Sequence, residues 1–505
     1  MSEERPARLL FPAIRWDADA GFDAAEDAIA DALDLGVGGF IVFGGEAAAA
    51  RALIERVRAA APHPLLFGAD LERGAGQQFR GATSLPPLAA IGHLDELDTT
   101  RRAGSLTARE ALAIGVDWVY GPVADLDVEA RNPIVGTRAF GSRPGRVGEH
   151  VAAWVEGCQA TGSLACVKHF PGHGRTTTDS HAGLPVVEAS RDMLQADLAP
   201  FAAGLRAGAA SVMTAHVAFP ALDPSGAPAT LSEPILGGLL RDRMGFAGIV
   251  VTDAMIMDGV QDGAAGDAVG AGVRALSAGC DALLYPDDPA ALAAAITEAL
   301  AGGRLDRARV ASAGARVAGA AAAAAGVRDA AAPGTGHEGW GRAEDAAWAR
   351  EVARASIVPL AGRTSLGAAD GVVVVDVDDD LGGPYPPPTR ERLPEALRSA
   401  GLEVSHVPDH RGGNGGSDDR RAAPLLIAVY ADIRAWKGRP GLSEGAVRAV
   451  GRALESRTDA LVALFGHPRL ADRLPGRRML AAWGGEPIMQ EAVAEHVLAE
   501  RRGVP

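Results

Sequence analysis

The stretch VKHFPGHGRTTTDSHAGLP, residues 167–185, concentrates ionisable side chains within nineteen positions. They are Lys168, His169, His173, Asp179 and His181. Imidazole and carboxylate groups at this density suit a metal site, acid/base catalysis or the capping of a loop. Their spacing is the first evidence that separates these three readings.

Asp179 and His181 are two residues apart, a spacing that puts both side chains on the same side of an extended segment. A carboxylate beside an imidazole raises its basicity and fixes its tautomer, which suits a general acid/base near neutral pH. A metal site would instead need nitrogen ligands from His169, His173 and His181. A proline and a glycine between the first two disfavour that geometry, so we favour the acid/base reading over a metal or a purely structural loop.

Further polar residues close several apolar runs of the chain. Any one of them could simply cap the helix that follows. If the runs are parallel strands of one barrel, however, their ends share a rim, and that rim is where such barrels carry chemistry. The residues in question are Asp70, Asp125, Lys168, His169, His216 and Asp253.

Asp253 closes the apolar run GIVVTDA, and the next helical pattern starts only near residue 264. A helix-capping role therefore explains this aspartate poorly. A carboxylate on the rim opposite a loop that carries an acid/base is the arrangement of a retaining glycosidase, with one nucleophile and one proton donor.

Short apolar runs alternate with amphipathic helical stretches from residue 8 to about residue 300. Continuous apolar strands between helices are typical of parallel strands covered by helices. Eight such units favour a (β/α)8 barrel of the TIM type, whereas a doubly wound sheet would carry a glycine fingerprint after its first strand. The eight runs are RLLFPAI, GGFIVFG, PLLFGAD, DWVYGPVADL, SLACVKHF, SVMTAHVAF, GIVVTDA and DALLYPD.

The rest of the chain indicates a second, smaller α/β sandwich domain with its own strands, such as GVVVVDVD and PLLIAVYA. We expect a catalytic barrel over 1–302, a helical linker over 303–345 and the sandwich over 346–505. Within the sandwich, the segment DHRGGNGGSDDRR (409–421) predicts a mobile surface loop rather than a phosphate-binding loop.

The net charge of −15 argues against a nucleic-acid partner. The three cysteines form no CxxC pair, and we expect buried, inert thiols. Neither a signal peptide nor a long apolar run is evident, so we expect a cytoplasmic protein without membrane association, either a monomer or a homodimer. We also expect no cofactor and no metal.

Together these motifs resemble glycoside hydrolase family 3, in its β-N-acetylglucosaminidase (β-hexosaminidase) branch. The resemblance is carried, in order, by VKHFPGHG, TDSH, VMTAHVAFPALDP, PATLS and GIVVTDAMIMDGV, and it spans nearly the whole barrel. Weaker similarity continues through ALFGHPRLADRLP and AAWGGEPIMQEAVAEHVL in the second domain.

The resemblance implies a role for each matching residue. Asp253 would be the nucleophile, and His181 paired with Asp179 would be the acid/base. The terminal sugar would be held by Asp70, Arg138, Lys168 and His169, with His216 lining the same pocket. The implied activity is a retaining exo-β-N-acetylglucosaminidase that releases N-acetylglucosamine from small glycans or cell-wall fragments.

One segment departs from the pattern of that branch. DLERGAGQQF keeps Asp70 and Glu72 but has Arg73 in place of a glycine and Gln78 in place of an arginine, which puts the aglycone side of the substrate in doubt. The alternatives are a phosphorylase with the same dyad, a β-glucosidase or β-xylosidase of the same family, and a sugar-binding protein on an inactive barrel.

Overall fold

A computed structural model describes residues 5–263, 267–330, 339–380, 388–409, 423–433, 437–455, 457 and 459–499. The glycine-rich segment predicted as a mobile surface loop lies almost entirely outside these residues. Contacts between Cα atoms divide the chain into two compact units. The first comprises Met1–Ser84, Leu97–Glu129 and Ser142–Asp345, and the second comprises Leu85–Glu96, Ala130–Gly141 and Ala346–Pro505.

The first unit is built on short parallel strands. These are β1 (Leu10–Phe11), β2 (Ala13–Arg15), β3 (Gly39–Phe43), β4 (Leu66–Ala69), β5 (Trp118–Val119), β6 (Leu164–Phe170), β7 (Ser211–Thr214), β8 (Ile249–Val251) and β9 (Leu283–Leu284). Strands β2 to β8 pair in sequence order into one sheet. The run RLLFPAI, predicted as one strand, is divided into β1 and β2 at Pro12, which has no N–H to donate.

Hydrogen bonds close this curled sheet into a ring. Strand β1 pairs with β9 in parallel, with Leu10 opposite Leu283, and a parallel bridge joins Val251 of β8 to Ala282 beside β9. The apolar side chains of the strands are buried, including Phe40 and Phe67, whose rings stack 5.7 Å apart. The predicted TIM-type barrel is thereby confirmed.

Helices follow the strands, as the amphipathic patterns predict. In the first unit they are α1 (Glu26–Leu35), α2 (Ala47–Ala60), α4 (Leu97–Ile114), α5 (Pro144–Gln159), α6 (Arg191–Arg206), α7 (Asp258–Gly263), α8 (Ala268–Ala278), α9 (Pro289–Ala301) and α10 (Arg307–Ala330), with a π-helical segment at Pro234–Arg243. Helix α3 (Leu88–Leu94) belongs to the second unit.

The second unit is a six-stranded sheet with helices, and the predicted α/β sandwich is confirmed. Its strand order is β10-β15-β14-β13-β11-β12, and only the β10–β15 pair is antiparallel. The elements are α11 (Ala343–Ala355), β10 (Val358–Ala361), β11 (Gly371–Asp378), α12 (Arg392–Ser399), β12 (Glu403–Val407), β13 (Leu425–Ala431), α13 (Glu444–Glu455), β14 (Leu461–Gly466), β15 (Arg478–Ala481) and α14 (Pro487–Val497). The boundaries expected from the sequence, at residues 302 and 345, stay predictions.

Helix α10 is the one helix in the described residues that is long and apolar enough to cross a membrane, judged by length and composition alone. Its buried positions, which include Val310 and Val317, recur every three or four residues, as on a helix that packs against a protein core. Its arginines also form ion pairs with buried carboxylates of the same unit, Arg309 with Asp281 for example. These contacts fit a helix of the barrel.

The Asp281→Asn variant tests how the amino-terminal side of the barrel is stabilised. The buried Asp281 carboxylate is paired with Arg241 at 2.5 Å, Arg309 at 2.9 Å and Arg316 at 3.1 Å. Removing its charge leaves three partly buried guanidinium groups without their shared, buried counter-ion, so urea denaturation is expected to show a loss of about 3 kcal/mol. Glu298→Gln, which breaks an exposed pair, should cost less than about 1 kcal/mol. Equal losses in the two variants would contradict this account.

Candidate active site

The carboxyl ends of the strands place most of the predicted residues on one rim of the barrel. Lys168 lies near the end of β6, and its ammonium group is 2.6 Å from Asp70 Oδ1 and 2.9 Å from Glu72 Oε1. Its side chain is only 2% exposed, whereas that of Asp70 is 30% exposed. Lys168 therefore fixes two carboxylates at the end of β4, and Asp70 keeps part of its surface open for a ligand.

Asp125, at the rim after β5, is fully buried and holds two segments together. Its Oδ2 lies 2.7 Å from His169 Nδ1, while its Oδ1 accepts from the backbone N–H groups of His169 at 3.3 Å and His173 at 2.6 Å. Burial raises the pKa of Asp125, but His169, His173 and these bonds outweigh it, so the pKa is lowered. The peptide bonds before His169 and Pro171 are cis.

His173 anchors the loop that follows β6. Its Nδ1 is 2.8 Å from Thr176 Oγ1 and its Nε2 is 2.9 Å from Ser180 Oγ. Burial is the main reason that the pKa of His173 is lowered to about 4, so the ring is neutral at pH 7. Ser180 also accepts, through its carbonyl oxygen, from the N–H of Gly259 at 3.0 Å. The loop is thereby connected to the segment that follows β8.

The predicted dyad forms at the end of this loop. His181 Nδ1 lies 2.7 Å from Asp179 Oδ1, and the same oxygen accepts from the backbone N–H of His181 at 3.0 Å. The Asp179 side chain is 1% exposed and that of His181 is 18% exposed. The carboxylate therefore orients the ring through Nδ1, which leaves Nε2 as the nitrogen on the side away from Asp179.

Asp253 follows β8 and is only partly buried, and its Oδ1 accepts from the N–H of Ala254 at 2.8 Å. Burial alone would raise its pKa. The interactions with His169, His216 and His181 outweigh that effect and lower the pKa of Asp253 to about 2. The structure therefore brings the carboxylate and three of the predicted histidines within electrostatic range of one another and keeps Asp253 ionised at neutral pH.

His216 lies beside Asp253 but uses both ring nitrogens within the protein. Nδ1 is 2.7 Å from Thr230 Oγ1, and Nε2 is 3.1 Å from the carbonyl oxygen of Ala254. Burial is the main reason that its pKa is lowered, so the neutral ring donates from Nε2 to that carbonyl. These bonds favour a role in positioning the residue next to Asp253, and the expected contact with sugar stays a prediction.

Arg138 is the one predicted sugar ligand that belongs to the second compact unit. It ends a short 3-10 segment, Gly136–Arg138, and its Nη1 donates to the carbonyl of Ile134 at 2.9 Å. Its role in binding therefore rests on the sequence resemblance alone.

The segment that departs from the family pattern is also connected to the rim. Gln78 Oε1 accepts from the N–H of Gly44 at 3.1 Å, just after β3. Gly44 has a φ of +76°, a conformation that glycine adopts without steric cost. The substituted glutamine thus fixes a turn at the mouth of the barrel.

The sequence placed Asp125 on the rim and kept Glu72 in its motif but gave neither a specific role. It did not point to Ser180 or to the pair of Arg15 and Tyr285. Arg15 ends β2, and its Nε donates to the Tyr285 hydroxyl at 2.8 Å. Tyr285 directly follows β9 and has a φ of +49°, which is rare for a bulky residue. Position after a strand was the available signal for Asp125 and Tyr285. The sequence carried no signal that Arg15 would contact Tyr285, because the two residues are 270 positions apart.

Within the described residues, no group of three or more His, Cys, Asp or Glu side chains is arranged to hold a metal ion. His169 and His173, two of the ligands that such a site would need, make the hydrogen bonds given above to Asp125, Thr176 and Ser180.

Residues 4–320 match the model of the glycosyl hydrolase family 3 N-terminal domain. The chain belongs to this family. The family predicted from the motifs is confirmed, and with it the prediction of a glycoside hydrolase.

Known proteins resemble the chain at the levels of both sequence and structure. A β-hexosaminidase of Xylella fastidiosa strain M23 is 39% identical over 262 residues, which is 50% of this chain and 76% of that protein. A family 3 β-N-acetylglucosaminidase from Paenibacillus sp. str. FPU-7 has a TM-score of 0.84 at 26% identity, covering 99% of this chain and 97% of that one. A β-glucoside phosphorylase also has a TM-score of 0.84, over 99% and 92% of the two chains, and at 23% identity it shows the fold alone.

The buried state of His173 predicts a pH-dependent stability. Its pKa of about 4 in the folded protein lies below the ordinary value of 6.5, so the unfolded chain binds the extra proton and stability falls as the pH falls through this range. Between about pH 7 and about pH 5 the wild type should lose about 2 kcal/mol more in urea denaturation than His173→Gln, whose neutral amide can still bond to Ser180.

His93→Gln, a substitution at an exposed position, provides the matched control and should keep the pH dependence of the wild type. If His173→Gln kept it as well, His173 would not be the buried neutral group described above.

Proposed function

We propose that this family 3 enzyme is a retaining exo-β-N-acetylglucosaminidase that removes terminal β-linked N-acetylglucosamine through a glycosyl-enzyme intermediate. The observation that carries the proposal is the bonded pair of His181 and Asp179, within electrostatic range of the ionised and partly exposed Asp253. The His181 ring suits proton transfer, and the Asp253 carboxylate suits nucleophilic attack.

Asp253 is the proposed nucleophile. A pKa of about 2 keeps it ionised at neutral pH, and the N–H of Ala254 orients one of its oxygens. Its attack on the anomeric carbon forms an ester bond to the sugar while the bond to the glycosidic oxygen breaks. Water then cleaves the ester, so the released sugar retains the configuration of the substrate.

His181 is the proposed acid/base. Protonated at Nε2, it donates to the departing glycosidic oxygen, and afterwards the neutral ring takes a proton from the attacking water. Asp179 holds Nδ1 throughout, which fixes the tautomer and stabilises the imidazolium form.

Binding of the sugar is assigned to the polar residues predicted from the sequence. Asp70 and Lys168 suit hydrogen bonds to sugar hydroxyls, because a carboxylate accepts and an ammonium group donates. His169, Arg138 and His216 complete the proposed set on the strength of the family resemblance. The preference for N-acetylglucosamine is supported by the dyad motif and by the names of the relatives.

Aryl glycosides with different leaving groups test the role of His181. A good leaving group needs no proton, so His181→Ala should lose about 1000-fold in kcat/KM on a poor leaving group and far less on an activated one. Asp253→Asn is the control, because the nucleophile is needed for both substrates and both should lose activity alike. Equal losses for His181→Ala on the two substrates would exclude the acid role.

The stereochemistry and specificity of the reaction are read from the same assays. Proton NMR should show the β-anomer as the first product if the mechanism is retaining. N-acetylglucosaminides should be turned over faster than glucosides and xylosides. An inverted product or a preference for glucosides would overturn the corresponding part of the proposal.

Phosphorolysis is the second candidate, since an imidazole acid/base repels an incoming phosphate less than a carboxylate would. Phosphate would then replace water in the second step and give a sugar 1-phosphate. We expect free sugar as the main product with and without phosphate. Formation of sugar 1-phosphate at the expense of free sugar would identify a phosphorylase instead.

The natural substrates and location also belong to the proposal. Small glycans or cell-wall fragments in the cytoplasm are the substrates we infer, in a role in peptidoglycan recycling. Fractionation of cells that produce the protein, combined with assays on disaccharide fragments of the wall, would test both parts.

A further inference from the structure

A pocket of about 270 Å³ opens at the amino-terminal side of the barrel, opposite the candidate active site. It lies next to the segment that leads into β4. Its wall includes Arg58 of α2, His63 of the connection to β4, and Ala325 and Arg328 of α10. No role in the proposed reaction involves this side of the barrel.

Two guanidinium groups in this pocket share one counter-ion. Arg58 Nη2 lies 2.5 Å from Asp117 Oδ2, and Arg328 Nη1 pairs with Asp117 Oδ1. Each arginine uses a single terminal nitrogen for the carboxylate, and Arg58 Nε is buried without a hydrogen-bond partner among the described residues. The two arginines and the one aspartate together carry a net charge of +1.

His63 adds one N–H donor, because a neutral imidazole donates from only one of its two ring nitrogens, and Arg8 adds charge. Both ring nitrogens of His63 are buried and have no hydrogen-bond partner in the described part of the chain. Burial first, and then the charges of Arg8 and Arg5, lower the pKa of this ring. Arg8 Nε is likewise buried without a partner in the described residues. An unsatisfied buried donor is costly, and an acceptor bound beside His63 and Arg58, which line the pocket, would reduce that cost.

We propose that this pocket binds a phosphate group, either of inorganic phosphate or of a small phosphate ester. A tetrahedral dianion offers several acceptor oxygens, and arginine forks match phosphate geometry well. The positive field is local, because the chain as a whole carries a net charge of −15. The pocket is also small beside ordinary ligand pockets, which suits a phosphate or a small ester better than an oligosaccharide.

Bound phosphate would connect three segments of the barrel. Arg58 belongs to α2, His63 to the loop before β4, and Arg328 to the last turns of α10. A ligand that binds only the folded state stabilises it, so phosphate should raise the melting temperature. The effect is independent of turnover, since the residues involved lie on the opposite side from Asp253.

Melting temperatures in phosphate and in chloride at matched ionic strength test the proposal. Millimolar inorganic phosphate should raise the Tm of the wild type, and His63→Phe should abolish most of that rise while its Tm in chloride stays close to that of the wild type, because His63 bonds to nothing in the described residues. By calorimetry, His63→Phe and Arg328→Gln should each weaken phosphate binding about tenfold or more.

Arg316→Gln is the matched control, because Arg316 lies on the same helix but pairs with Asp281 away from the pocket. It should keep the full phosphate-dependent rise even if its own Tm is lower. Glycerol 3-phosphate in a parallel titration distinguishes an ester from the free ion by which one binds more tightly. The proposal is wrong if phosphate gives the wild type no rise, or if His63→Phe keeps the whole rise, which would place phosphate elsewhere, such as at the barrel mouth.

Discussion

The buried carboxylate of Asp125 is the constraint on which the candidate site depends. It accepts from the ring and backbone of His169 and from the backbone of His173, so it fixes both the end of β6 and the start of the long loop after it. A fully buried charge is costly unless it is completely hydrogen-bonded. The chain therefore has little freedom to adopt another path at this point. The loop that carries the dyad of Asp179 and His181 thus begins from a fixed position.

A second constraint is electrostatic. Two carboxylates that face each other closely raise the pKa of one of them, whereas a neutral or protonated imidazole does not. The acid/base reading places a histidine next to Asp253 and moves the carboxylate, Asp179, to the far side of the ring. This arrangement is consistent with a pKa of about 2 for Asp253, although desolvation by itself would raise that pKa. In the proposed mechanism, this arrangement keeps the nucleophile ionised beside the group that transfers the proton.

Carboxylates and basic side chains occur at both sides of the barrel, but they have different functions there. At the amino-terminal side, Asp117 and Asp281 are enclosed by arginines from surrounding helices, and these ion pairs hold helices to strands. At the carboxyl side, carboxylates such as Asp70 and Asp253 face histidines and a lysine around the mouth. This division agrees with the general asymmetry of such barrels, in which one side serves stability and the other serves chemistry.

Much of this could be predicted from the sequence, because it rests on local pattern. The alternation of apolar strands and amphipathic helices determined the barrel, since strands buried on both sides and covered by helices have few other solutions. Position at strand ends then brought Asp70, Lys168, His169 and Asp253 to one rim, and the two-residue spacing of Asp179 and His181 predicted their pairing. The family motifs supplied the expected roles.

Only the tertiary structure decided which partners these groups have. Asp125 is 44 residues from His169, and His216 is 38 residues from Ala254, whose carbonyl it contacts. Nothing in a local pattern specifies such pairs, because the direction of a side chain at the end of a strand is set by whatever packs around it. For this reason the sequence alone determined which residues reach the barrel mouth, and the fold decided which of them bind each other and which keep an exposed surface there.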